Sequence, residues 1–288
     1  VTTYDVHQHL WPPQFMEALR ERRSPPLLDG DRLVTREGRF PIDLRTHDVE
    51  ERLRLLDRYR IDVAVLSLQT TLGLEARPEE ERLALEEAWV AGIAEIVEAS
   101  GGRFLAFSPG RARPGFVGVS LAASSLLDLD GASTLLSEAQ ERELPVLVHP
   151  DASPSPSPGR PPWWDWAVSY PARMQAAYFT WLAAGRARWP TLRILFAMLA
   201  GGGPFQLERL ARQGVDVRSV LDPNTFFEIS SYGRRAIELC IETFGVGHLV
   251  YGSDAPVLDP GSALDAIRGF GDAVAYVLQS DAPSTLLR

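Results

Sequence analysis

Short runs rich in β-branched and apolar residues alternate with longer segments of helical spacing along the whole of this 288-residue chain. Strands separated by helices cannot pair as hairpins, so they are expected to pair in parallel. The pattern predicts strands at 3–9, 63–68, 104–108, 115–121, 145–149, 192–198, 226–230 and 249–253. Helices are expected between them at 49–59, 79–99, 132–142, 166–188, 205–212, 233–244 and 262–278. Eight strands with interleaved helices close most economically as an α/β fold, a distorted TIM (β/α)8 barrel, although a doubly wound open sheet carries much the same pattern. Barrels of this kind commonly run to about 250 residues as one unit, so a single domain over 1–288 is expected.

Two segments interrupt the rhythm. Residues 24–47 are too many for a simple connection, and 32–40 read as a small β-hairpin turning near Gly38, an insertion after strand one. The stretch 151–162 (DASPSPSPGRPP) is rich in Pro and Ser and is expected to be an extended loop after strand five rather than a linker. Both leave C-terminal ends of strands, the face on which barrel active sites are built.

Charge narrows the partners. Asp+Glu number 38 against 29 Lys+Arg, and a net charge of -9 argues against nucleic acid or an anionic membrane. Every basic residue is Arg, which removes Schiff-base chemistry, a phosphate-binding lysine and any modified lysine. Gly201-Gly202-Gly203 is followed by no Lys-Ser/Thr, so a tight turn into a helix explains it better than a phosphate cradle. The single cysteine, Cys240, cannot form an intrachain disulfide and reads as a small buried residue in a reducing compartment, with cytoplasm the expected location. No apolar run approaches the ~20 residues that span a bilayer, and the first residues lack the order of a signal peptide.

The chemistry concentrates at strand ends. In Asp5-Val6-His7-Gln8-His9 the two histidines are two apart on a strand and share a face. His149 closes strand five in Leu147-Val148-His149-Pro150, and Asp254 closes strand eight in Tyr251-Gly252-Ser253-Asp254. A histidine pair alone is more often satisfied by backbone. Three of five histidines at strand C-termini, joined by a carboxylate, have the composition of an open catalytic Zn²⁺ site, which would also accept Mn²⁺, Fe²⁺ or Co²⁺. His248 precedes Asp254 by six residues and belongs near the barrel's opposite end, in a structural role. His47 follows the insertion, where a loop histidine is ordinarily solvated but can swing over the mouth as a base.

DVHQHL, LVHP and YGSDAP, in that order, resemble the amidohydrolase superfamily, in its amidohydrolase-related branch that includes aminocarboxymuconate-semialdehyde decarboxylase. The resemblance covers nearly the whole chain and extends to Trp166-Ala167-Val168-Ser169-Tyr170-Pro171-Ala172 and to Phe196-Ala197-Met198 with the glycines and Pro204-Phe205 that follow. It implies one divalent metal ion held by His7, His9, His149 and Asp254, a small-molecule substrate bearing a carboxylate, and a homodimer. Binuclear members use a carboxylated lysine as a bridge, which a chain without lysine cannot make, so a mononuclear site follows.

One position departs from the family pattern. The histidine expected after strand six is Met198, whose thioether neither takes nor gives a proton, and this speaks against inherited decarboxylation. Hydrolysis is less affected, because Asp254 can act as both ligand and general base while Met198 shapes an apolar wall. Arg52 matches an arginine that holds substrate carboxylate, or else forms an i,i+4 pair with Asp48. Trp166 matches a pocket tryptophan, and Trp163 and Trp164 stand beside it, either as core or as pocket wall. The expected function is metal-dependent hydrolysis of a small amide, ester or lactone. The alternatives are nonoxidative decarboxylation of a small unsaturated or aromatic acid, with Arg52 for orientation and His47 or water for the proton, and a catalytically silent barrel that binds a ligand.

Overall fold

The computed structural model describes residues 1–153, 159–161, 163–217 and 222–288. The first barrel strand, β1 (Tyr4–Gln8), is followed by an inserted antiparallel sheet of β2 (Leu27–Asp29), β3 (Arg32–Val34) and β4 (Arg39–Pro41). The remaining barrel strands are β5 (Val63–Leu66), β6 (Phe104–Pro109), β7 (Gly118–Ala122), β8 (Val146–His149), β9 (Ile194–Phe196), β10 (Thr225–Glu228) and β11 (Leu249–Val250). They form one eight-stranded parallel sheet in the order β1-β5-β6-β7-β8-β9-β10-β11. The sheet closes on itself through the backbone: Val6 N–H donates to Tyr251 O (3.0 Å), Asp254 N–H to His7 O (2.8 Å) and His9 N–H to Ala255 O (2.7 Å). This is the expected TIM barrel, with each expected strand present, all in shorter form except β6, which runs one residue further than expected.

The strands are buried along their length, as parallel strands under helices must be. Part of the core is aromatic, with the Tyr178 ring edge-on to Phe196 (5.4 Å) and Phe227 (5.5 Å). Helices begin where the sequence supplies a start signal. Asp48 accepts from Glu51 N–H at the head of the helix Val49–Tyr59, and Pro78 precedes Glu79–Ala99, whose first turn carries three glutamates. Among the described residues no helix is long and apolar enough to cross a membrane.

Three expectations need correction. The hairpin expected at 32–40 is present as β3 and β4, but the insertion has a further strand, because the chain also turns at Gly30 (φ +62°), pairing Leu28 with Leu33. The added strand β2 follows directly on Pro25-Pro26, a dipeptide that reads as a turn rather than as the start of a strand. The helix expected at 262–278 is two, Pro260–Arg268 and Asp272–Tyr276, separated at Gly269 and Gly271 (φ +90°). The helix expected at 166–188 carries π turns at Asp165–Ser169 and Trp181–Gly185. Of the extended loop expected at 151–162, residues 154–158 and 162 lie outside the described residues. The Glu37 carboxyl accepts from Ser153 N–H and from Tyr170 O–H, so the inserted sheet is tied to the segment that follows β8.

The turn after β9 is unusual. Met198, Leu199, Ala200 and Gly201 all hold left-handed backbone (φ 52°, 46°, 52° and 62°), which costs a residue with a Cβ roughly 1–2 kcal/mol. At Gly201 there is also no room, since a Cβ would lie 2.4 Å from Pro171 O. Gly201→Ala is expected to lower stability by about 1–3 kcal/mol, read as a lower urea midpoint at unchanged m.

Candidate metal centre

The site is built across the seam where the barrel closes. β1 carries one more residue than β5 between the pairs Asp5↔Ala64 and Gln8↔Leu66, an irregularity that sits in the histidine motif. His7 Nε2 and His9 Nε2 come within 3.2 Å, and His149 Nε2, from the end of β8, within 3.2 Å of His9 Nε2. Asp254 Oδ1 is 3.0 Å from His9 Nε2 and 3.7 Å from His7 Nε2. All four donor atoms lie within 4.8 Å of one another. Asp254 takes a left-handed backbone (φ 60°) just past β11.

What each imidazole does with its other nitrogen decides what it offers the centre. His9 Nδ1–H donates to Ser67 O (2.9 Å) and His149 Nδ1–H to Pro150 O (2.8 Å), acceptors that force the proton onto Nδ1. His7 Nδ1–H donates to Glu228 Oε2 (3.1 Å). Each Nε2 therefore points toward the same centre. Three imidazole nitrogens and a carboxylate oxygen facing one another in the interior need a cation among them, a proton on His7 or a metal ion in its place, which is the donor chemistry of a divalent metal site. The imidazoles are buried, whereas the Asp254 side chain is 16% exposed, the most accessible of the four.

The electrostatics agree with neutral ligands at two positions. Burial and the neighbouring imidazoles hold His9 and His149 well below the ordinary histidine range. Burial also lowers His7, but the charge and hydrogen bond of Glu228 outweigh it and bring it to about 9. Burial raises Asp254, against the pull of His7 and His149.

Glu228 escaped the sequence reading. It is fully buried, and its carboxyl also accepts from Ser230 Oγ–H (2.8 Å) and Met198 N–H (3.2 Å). Gly252 leaves it room, since a Cβ there would lie 2.5 Å from Glu228 Cγ and 2.7 Å from His7 Cβ. The signal was a carboxylate at the C-terminal end of a barrel strand, after Phe226-Phe227. Asp5 was read only as part of the motif, yet its buried carboxyl accepts from Ser253 N–H (2.9 Å), His7 N–H (3.2 Å) and Gln8 Nε2–H (2.7 Å). Burial raises it to about 6 despite these bonds.

The expected substrate contacts fare differently. Arg52 is buried and donates to Gln8 Oε1 (2.8 Å) and Thr46 O (2.8 Å), while Asp48 caps the helix instead of pairing with it. His47 is not solvated: it is buried, stacks on Trp11 at 4.6 Å and accepts from Trp11 N–H at Nδ1. Its Nε2 is left without a partner, and burial lowers its pKa to about 3. Met198 is half-buried, and its backbone, through Glu228, supports His7. Trp166 is 56% exposed and Trp163 52%, so neither ring belongs to an enclosed wall, and Trp164 lies under Arg160 at 4.1 Å. His248 Nδ1–H donates to Thr225 O at the start of β10, the end of the barrel away from the four donors.

No family model matches the sequence, and no curated protein matches it. Solved structures do share the fold. IDCase from Metarhizium anisopliae, in apo form, is 20% identical, with 100% of this chain and 97% of that one covered at a TM-score of 0.79. A protein named amidohydrolase II is 16% identical over 99% of both chains, with a TM-score of 0.78. The 5-carboxyvanillate decarboxylase of Novosphingobium aromaticivorans, complexed with manganese and 4-hydroxy-3-methoxy-5-nitrobenzoic acid, is 15% identical, covering 99% of this chain and 96% of that one at 0.74. The likeness to these proteins is one of fold.

Two measurements check the site. Glu228→Gln keeps all four donors but weakens the hold on His7, and metal affinity measured by chelator competition should fall about 10–100-fold. His47, neutral in the folded protein down to about 3, takes up its proton near 6.5 when unfolded. Stability is therefore lost as pH falls from 6.5 toward 3, and urea midpoints of His47→Gln should decline less steeply across that window.

Proposed function

We propose that this chain is a metal-dependent hydrolase of a small amide, ester or lactone, with one divalent ion held by His7, His9, His149 and Asp254. The observation that carries this reading is the convergence of the three Nε2 atoms and Asp254 Oδ1 within 4.8 Å, with Asp254 the most exposed of the four side chains. A divalent ion bound there makes water a nucleophile near neutral pH and polarises a carbonyl. In this reading the Asp254 carboxylate, the most exposed of the four, would take the proton of the attacking water and return it to the leaving group. The Met198 thioether handles no proton, which leaves the proton work to Asp254 and gives the side chain a role in shaping the substrate space. His47, fixed as the Nε2–H tautomer by Trp11 N–H, brings a neutral donor without a partner, suited to a substrate oxygen. Arg52, engaged by Gln8 and Thr46, is not needed for hydrolysis of a neutral substrate.

Decarboxylation of an aromatic acid is the second reading, favoured by the name of the Novosphingobium protein. The two separate in one experiment, with protein loaded with Zn²⁺ or Mn²⁺ and offered aryl esters, lactones, amides and hydroxybenzoates. Hydrolysis is expected, abolished by chelation and lowered at least about 100-fold in Asp254→Asn at unchanged metal content. Carbon dioxide release from hydroxybenzoates without hydrolysis would replace this reading by the second, and neither activity in metal-loaded protein would leave a silent binder.

A further inference from the structure

At the same end of the barrel as the metal donors, a second space is built into the fold. A cavity of about 420 Å³ lies among the ends of β5, β6 and β7 and the heads of the helices Glu79–Ala99 and Ser133–Glu141. That volume falls in the range that takes small organic ligands. None of the four metal donors lines it, although Thr70, which does, bonds to His149 Nδ1 (2.8 Å) and to Pro150 O (2.6 Å). One side is apolar, formed by Leu68, Leu74, Leu121 and Leu135.

The charges on the other side do not balance. Among the described residues, Glu75, Glu86 and Asp128 line the cavity against a single guanidinium, Arg82. Arg82 donates to Glu86 Oε1 (2.9 Å), which occupies one oxygen of one carboxylate. Behind this wall Arg111 and Arg113 both donate to Glu87 and also act on Glu86 through space, so Glu75, Glu86, Glu87 and Asp128 face Arg82, Arg111 and Arg113. The uncompensated charge in the cavity is therefore negative. A separate observation also points to a ligand. Ser120 lines the cavity, is 3% exposed, and its buried hydroxyl has no hydrogen-bond partner. Buried hydroxyls are almost always paired, so this one is a vacancy for a polar hydrogen or a lone pair from outside the chain.

We propose that this cavity binds a small primary ammonium with a short apolar body. The body lies against Leu74, Leu121 and Leu135, the positive charge is met by the excess carboxylates, and an N–H of the ammonium donates to Ser120 Oγ. The proposal does not depend on the reaction assigned to the metal centre. An anionic ligand of the same shape would meet more carboxylates than guanidinium groups, where like charges repel.

Calorimetric titration of the full chain with hexylammonium and hexanoate, which share a body and differ in the sign of the head, tests it. Hexylammonium should bind at least about tenfold more tightly than hexanoate. Glu86→Gln should weaken it by about tenfold and Ser120→Ala by a smaller factor, with unchanged circular dichroism. Should Glu86→Gln fail to fold, Asp128→Asn makes the same test of the charge. Binding should be equal in chelator-treated and metal-loaded protein. Hexanoate binding as tight as hexylammonium, no binding of either, or loss of hexylammonium binding on metal removal, which would place the amine on the ion, each overturns the proposal.

Discussion

The seam between β1 and β11 is the contact on which both the barrel and its candidate metal centre depend. A parallel sheet of eight strands becomes a barrel only when its first and last members pair, and here the pairing runs through the ligand-bearing residues themselves. His7 offers its carbonyl to Asp254 N–H at 2.8 Å, and Asp5 reaches across to Ser253 N–H at 2.9 Å. A shift of β11 against β1 would therefore move Asp254 relative to His7 and His9. The left-handed backbone at Asp254 is one sign of that constraint, since a residue with a Cβ adopts it only when the surroundings dictate it.

A buried polar chain stands behind this seam. Arg52 donates to Gln8 Oε1, Gln8 donates to Asp5 Oδ2, and Asp5 receives the backbone N–H groups of His7 and Ser253. The amide of Gln8 thus links a buried cation to a buried acid without direct contact between them. Burial lowers Arg52 to about 10 and raises Asp5 to about 6, as expected when charges leave water. Such a chain holds its members in one arrangement, because breaking any link leaves an unpaired polar group in the interior. On the other side of His7, Glu228 does the same work through the imidazole. The centre is held from both faces before any ion enters.

Much of this was legible from local pattern. The alternation of strand and helix was enough for a parallel α/β fold, barrel or open sheet, and His7, His9, His149 and Asp254 stood out because they fall at the ends of expected strands. Glu228 did not, because it closes a strand of Thr-Phe-Phe that reads as pure core, and its partner His7 is 221 positions away. The third strand of the insertion was hidden by the Pro25-Pro26 that precedes it, which reads as a turn. His47 read as a solvated loop histidine, and only the fold lays it on Trp11, 36 positions distant.

The sequence by itself determined the fold class, the absence of a lysine bridge and the kinds of donor atom available at strand ends, because periodicity and side-chain chemistry are local properties. Only the tertiary structure decided which nitrogen each histidine presents, since that follows from an acceptor brought up by another strand. It also decided that Arg52 faces Gln8 and Thr46, that Trp166 stands in solvent, and that Ser120 lines a space with excess negative charge. Burial and long-range pairing are properties of the closed barrel, and no stretch of sequence carries them alone.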